Sequence, residues 1–66
     1  MSQRYKIRTP TIALDGGKLI HLPAETAVTT PRGFSNREIF TEVVWDGRAL
    51  KMFTRDLIER AEEITE

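Results

Sequence analysis

Ile39-Phe40-Thr41-Glu42-Val43-Val44-Trp45-Asp46-Gly47-Arg48-Ala49-Leu50-Lys51-Met52-Phe53 reads as two strands joined by a tight turn. Asp-Gly between two strand-like runs is a strong hairpin signal, because a type I′ turn needs positive φ at both central positions. The stretch also holds three of the five aromatic side chains in the chain, with five large aliphatic ones, so the core is expected to form around it. Ile39, Thr41, Val43 and Trp45 fall on one face of the first strand, and Phe40, Glu42 and Val44 on the other.

Working backward from this hairpin, the chain keeps an extended character. Tyr5-Lys6-Ile7-Arg8-Thr9 alternates, with Tyr5, Ile7 and Thr9 on one face and Arg4, Lys6 and Arg8 on the other. Pro10 has no amide hydrogen and ends this strand or leaves it at a sheet edge. Residues 11–14 resume extended structure, Asp15-Gly16-Gly17 turns it, and residues 18–22 return as the second half of a first hairpin. Pro23 opens a turn, residues 27–30 form a short β-branched strand, and residues 31–37 are the longest loop.

Forward from the hairpin the period changes. Leu57, Ile58, Ala61 and Ile64 recur at helical spacing, Arg55–Glu59 and Asp56–Arg60 are i,i+4 pairs, and Thr54 suits an N-cap. The expectation is a short amphipathic C-terminal helix. Its rival is a single helical turn at 54–58 followed by a last strand through Ile64 that would close a barrel.

Short strands at close spacing with turn residues between them predict a single all-β domain over residues 1–66, a small barrel of about five strands with a short C-terminal helix. Three runs carry a resemblance: residues 20–28 (Ile-His-Leu-Pro-Ala-Glu-Thr-Ala-Val), 42–48 (Glu-Val-Val-Trp-Asp-Gly-Arg) and 52–57 (Met-Phe-Thr-Arg-Asp-Leu). Together they resemble small bacterial SH3-like barrel proteins, in which a Leu-Pro-Ala-Gly-Thr turn precedes a Trp-Asp-Gly hairpin and a helical turn. The likeness spans roughly residues 11–58, and Glu25 stands where that pattern favours glycine. It implies an SH3-like barrel acting as an accessory or protein-binding domain, with no catalytic residue.

Composition bounds the function. A 66-residue chain with no cysteine has neither a disulfide framework nor thiolate metal ligands, and it buries only about 60% of the surface exposed when unfolded. Dimerisation is therefore a natural extra source of burial. No apolar run reaches the length of a membrane span and the first residues lack a signal-peptide core, so a cytoplasmic protein with no membrane association is expected. His21 is the only histidine, and nothing nearby supplies the nucleophile or orienting partner that a general base requires. The glycines form no phosphate-binding pattern, and no metal-ligand spacing is present. Catalysis, a cofactor and a metal site are not expected.

Two binding readings follow. With Val43 and Trp45 assigned to the core beside Ile12, Ile20, Leu22, Val28, Leu50, Met52 and Leu57, the side chains of Phe40 and Val44, with Phe34, are left outside. Uncovered, they form an apolar patch for a protein partner or a second copy; covered by Ile58, Ala61 and Ile64 they are ordinary second-layer core, the more commonplace arrangement. The alternative reading is nucleic-acid binding through Arg4, Lys6 and Arg8, with Arg32 and Arg37 flanking Phe34. The net charge is zero, but residues 1–37 carry six basic and two acidic residues and residues 38–66 four and eight. Mutual neutralisation of the two halves, and lysine or arginine guarding an edge strand against aggregation, explain the basic stripe without a polyanion. An SH3 domain for proline-rich peptides would also show clustered tyrosines, whereas Tyr5 stands alone.

Overall fold

The structure is a computed structural model and describes residues 2–64. Its elements are β1 (Gln3–Ile7), β2 (Thr11–Asp15), β3 (Lys18–Leu22), β4 (Ala27–Thr30), β5 (Phe40–Trp45), β6 (Arg48–Phe53), α1 (Thr54–Arg60) and β7 (Ala61–Glu63). The seven strands among the described residues form one antiparallel sheet in the order β3-β2-β6-β5-β4-β1-β7. The all-β expectation therefore holds, with seven strands in place of about five, and β3 and β7 lie at opposite ends of the sheet and do not pair with each other.

The central hairpin forms as its sequence dictates. Asp46 and Gly47 both have positive φ (52° and 75°), the conformation of a type I′ turn. Counting outward from that turn sets the register Trp45↔Arg48, Val43↔Leu50, Thr41↔Met52 and Phe40↔Phe53. Inward parity then selects the core: Tyr5, Ile7, Ala13, Leu22, Val28, Val43, Leu50, Met52 and Leu57 are buried, with Ile20, Phe34, Trp45 and Ala61 packed against them. Trp45, Ile20 and Ile12 are only half-buried, where the sequence pattern puts them in the core. Tyr5 and Ile7, from β1, are fully part of the core.

The chain's end follows the rival reading, a short helix and then a strand, in place of a helical finish, but β7 pairs with β1 alone and does not close the sheet. α1 stops at Arg60 because residues 61–63 are taken by β1: Ile7 pairs with Ala61 and Tyr5 with Glu63. Backbone bonds flank this pairing, with the amides of Arg8 and Thr9 donating to the Arg60 carbonyl (2.7 and 3.1 Å) and the Ile64 amide donating to the Arg4 carbonyl (2.8 Å). Helical periodicity through Ile64 thus loses to strand pairing, which satisfies the backbone and still tucks Ala61 inward. Thr54 is not the N-cap either. Phe53 holds that position without a side-chain cap bond, while the buried Thr54 hydroxyl shares a 2.7 Å hydrogen bond with Thr41 Oγ1. The helix is secured at its other face by Asp56, which accepts from Thr11 Oγ1 (2.9 Å) and pairs with Arg60 (3.5 Å).

Glu25 adopts φ of 74°, the left-handed region that favours glycine. Its amide donates to the Ile7 carbonyl (2.7 Å) and its carboxylate lies 3.2 Å from Lys6 Nζ. Left-handed geometry costs an L-residue roughly 1–2 kcal/mol, and an exposed ion pair returns about 0–1 kcal/mol. Urea titration is expected to rank stability at this position as Glu25→Gly above wild type above Glu25→Ala, with steps of roughly 0.5 kcal/mol.

The Thr41–Thr54 pair yields a second test. Thr54→Val strands the buried Thr41 hydroxyl and is expected to cost about 1–3 kcal/mol. The double variant Thr41→Val/Thr54→Val recovers most of that loss, so a urea-based double-mutant cycle gives a coupling energy clearly different from zero.

Candidate functional site

The outward face of the β5–β6 hairpin brings Phe40 and Phe53 opposite each other. Their rings stack with centroids 4.9 Å apart, tilted by 34°, and each stays about two-fifths exposed (40% and 38%). Ile39, just before β5, is 71% exposed, and Ile58 on the outer side of α1 is 49% exposed. The Thr54 amide donates to the Ile39 carbonyl at 2.9 Å, which pins the start of the helix to the end of the long loop. Between them opens a groove of about 520 Å³. Residues Asn36 to Ile39 form one wall, Arg55, Ile58 and Glu59 the other, and Phe53 lies between.

The rim of this groove is charged in both signs. Arg37 and Glu38 sit on the loop wall, and on the helix Arg55 Nε donates to Glu59 Oε2 at 3.0 Å. The loop wall is shaped by Ser35, whose hydroxyl accepts from the Arg37 amide (3.2 Å) and whose carbonyl accepts from the Glu38 amide (3.0 Å). An apolar strip bordered by charges of both signs can accept an apolar side chain while the rim hydrogen-bonds its flanks.

Of the residues expected to bind a partner, Phe40 belongs to this cluster. Val44 lies on the same outward face, half-buried in line with Thr29 and Ala49 across the neighbouring strands. Phe34 is elsewhere: half-buried against the core, its ring centroid 5.8 Å from that of Tyr5. The helix does not cover Phe40, since Leu57 and Ala61 turn inward and Ile58 stays at the surface. Ile39, Phe53 and Ile58 complete the cluster and were not assigned to the exposed patch from the sequence. Ile39 shares the parity of core residues but precedes the strand, so parity does not apply to it. Phe53 was legible, because the Asp46-Gly47 turn places it opposite Phe40.

The basic stripe has carboxylate neighbours. Lys6 Nζ lies 3.2 Å from Glu25, and Arg8 is 3.4 Å from Glu62, brought alongside by the Lys6↔Glu62 register of β1 and β7. Arg4 is exposed on the same strand, and Arg32 and Arg37 are exposed in the long loop without an ion pair to another described residue. Charge also crosses between the halves at Arg48 and Asp15 (3.7 Å). Among titrating groups, the Tyr5 phenol is raised above the usual tyrosine range by its burial and, secondarily, by the Glu63 carboxylate, while its hydroxyl donates to Gln3 Oε1 at 3.0 Å. His21 is exposed on β3, and the described residues contain no group of three or more potential metal ligands. No helix among them is long and apolar enough to cross a membrane.

Comparison with protein-family models, with curated proteins and with solved structures found no match to this chain.

The exposed cluster is separable from the fold's stability. Ile39→Ser is expected to change unfolding free energy by no more than about 0.5 kcal/mol, whereas Met52→Ala, at a fully buried position of the same hairpin, costs about 2–5 kcal/mol. Chemical denaturation of the two variants beside wild type measures the contrast.

Proposed function

We propose that the chain is an SH3-like barrel that serves as a non-catalytic protein-interaction module, taking an apolar side chain of a protein partner into the groove between residues 36–39 and α1. The fold reading draws support from the path β6-β5-β4-β1-β7, with one short helix between β6 and β7 and the β2–β3 hairpin as an arm inserted after β1. The functional reading is carried by one observation: of the five large apolar side chains exposed among the described residues, four (Ile39, Phe40, Phe53 and Ile58) lie together beside this groove, and Leu19 alone lies elsewhere. Contiguous exposed apolar surface on a small soluble domain marks an interaction site, and a mixed-charge rim suits a protein partner better than a polyanion. The carboxylates beside Lys6 and Arg8 weigh against the nucleic-acid alternative, since a phosphate would have to displace Glu25 and Glu62.

Selection from a random peptide display library is the test. Recovered peptides are expected to carry a large apolar anchor, to shift the amide resonances of Ile39, Phe53 and Ile58 when titrated, and to lose at least about tenfold in affinity against Ile39→Ser/Ile58→Ser. The reading is overturned if the resonance shifts map elsewhere, or if the protein instead binds DNA or RNA with a steep salt dependence that Lys6→Glu/Arg8→Glu removes.

A further inference from the structure

The two ends of the sheet are not equivalent. β7 is three residues long and presents Glu62 and Glu63, so a second strand of the same sequence beside it would bring carboxylates together. β3 runs for five residues, Lys18-Leu19-Ile20-His21-Leu22, and carries no acid. Among the described residues, the backbone of β3 makes no hydrogen bond beyond its pairing with β2. Leu19 is 63% exposed, and His21 beside it on the same face is exposed as well.

The outward hydrogen-bonding pattern of β3 follows from its turn. Gly16 and Gly17 both have positive φ (58° and 93°) between the paired residues Asp15 and Lys18, the signature of a two-residue type I′ hairpin. In that turn the flanking residues form a hydrogen-bonded pair, and the two pair types then alternate along the strands. Lys18, Ile20 and Leu22 therefore bond inward to β2, while Leu19 and His21 direct both their N–H and their C=O groups away from the sheet. These groups form a ready template for another strand.

We infer that the occupant of this edge is β3 of a second copy, paired antiparallel about a two-fold axis at Ile20. The register selects itself. Centred on Ile20, Leu19 of each copy meets His21 of the other and every outward backbone group finds a partner, making about four hydrogen bonds. Centred on Leu19, His21 falls opposite the turn glycine Gly17; centred on His21, Leu19 falls opposite Pro23, which has no amide hydrogen. The Ile20 register also sets Lys18 against Leu22 instead of against another lysine, and covers each exposed Leu19 with a neighbouring imidazole. The half-buried Ile20 meets its own copy as the closely spaced non-hydrogen-bonded pair, where side-chain contact is greatest. The pairing joins two sheets edge to edge and uses a different surface from the groove at Phe53, so either site can fail without the other.

Sedimentation and amide hydrogen exchange of the whole chain test it together. From about 10 µM to about 1 mM, the mass is expected to move from monomer toward dimer. Over the same range exchange at Leu19 and His21 slows by at least about tenfold, while exchange at Ile20, already bonded within the hairpin, changes little. Leu19→Lys, at an exposed position, and His21→Pro, which removes an amide that β2 does not use, are both expected to stay monomeric and folded. Ile39→Ser/Ile58→Ser is expected to dimerise like wild type. A monomer throughout the range overturns the inference, as does a dimer that survives both β3 variants or is lost in the groove variant. Protection of Leu19 and His21 that follows only on adding a foreign extended peptide also overturns it, and assigns the edge to a different strand.

Discussion

Everything in this domain depends on β1 being held from both sides. Its strand pairs with β4 through Gln3↔Thr30 to Lys6↔Ala27 and with β7 through Tyr5↔Glu63 to Ile7↔Ala61. Only in that position do Tyr5 and Ile7 reach the interior, where Ile7 is fully buried. A chain of this size has few core residues to spare, and Tyr5 and Ile7 are two of its larger ones. The strand also joins residues 5–7 to residues 61–63, a contact of high sequence separation whose closure is entropically costly. Backbone bonds from Arg8 and Thr9 to Arg60 and from Ile64 to Arg4 extend the grip beyond the strand itself.

That constraint explains what could and could not be read from the residues. The register of the β5–β6 hairpin was legible, because a two-residue Asp-Gly turn leaves one pairing and alternation then settles which side chains within the strands point inward. The same logic gave the β2–β3 hairpin. The C-terminal residues were not legible in this way. Leu57, Ile58, Ala61 and Ile64 satisfy a helical period, and nothing local records that β1 offers unpaired backbone next to Arg60. The decision between helix and strand there belongs to a partner more than fifty residues away, with Ile7 and Ala61 as its point of contact.

Loops set the second limit. Phe34 lies in a segment without periodicity, so its sequence neighbours cannot say whether it faces solvent, and the ring of Tyr5 draws it inward. Ile39 shows the opposite error. It continues the parity of Thr41 and Val43, yet the strand begins at Phe40 and its side chain is left in water. Glu25 stood out in the sequence as a departure from the glycine of the pattern, which left the turn type open, and the structure gives it a left-handed backbone. Thr54 was misread for a subtler reason. A threonine before a helix has two uses for its hydroxyl, and the buried partner on β5 took it in place of the cap.

The exposed cluster follows from how the charged and apolar requirements are divided over the two faces. Inside, the sheet needs only one residue in two, and those positions are filled by aliphatics, Tyr5 and threonines whose buried polar atoms all have partners. Outside, most positions are charged or polar, so four large apolar residues where the open end of the hairpin meets α1 are not required by the fold. The Phe40 and Phe53 rings pack on each other, and the bond from the Thr54 amide to the Ile39 carbonyl ties down the backbone beside the third. A surface held in place before any partner arrives loses less conformational freedom on binding. The groove is therefore preorganised by contacts within the chain, while its open side remains free of them.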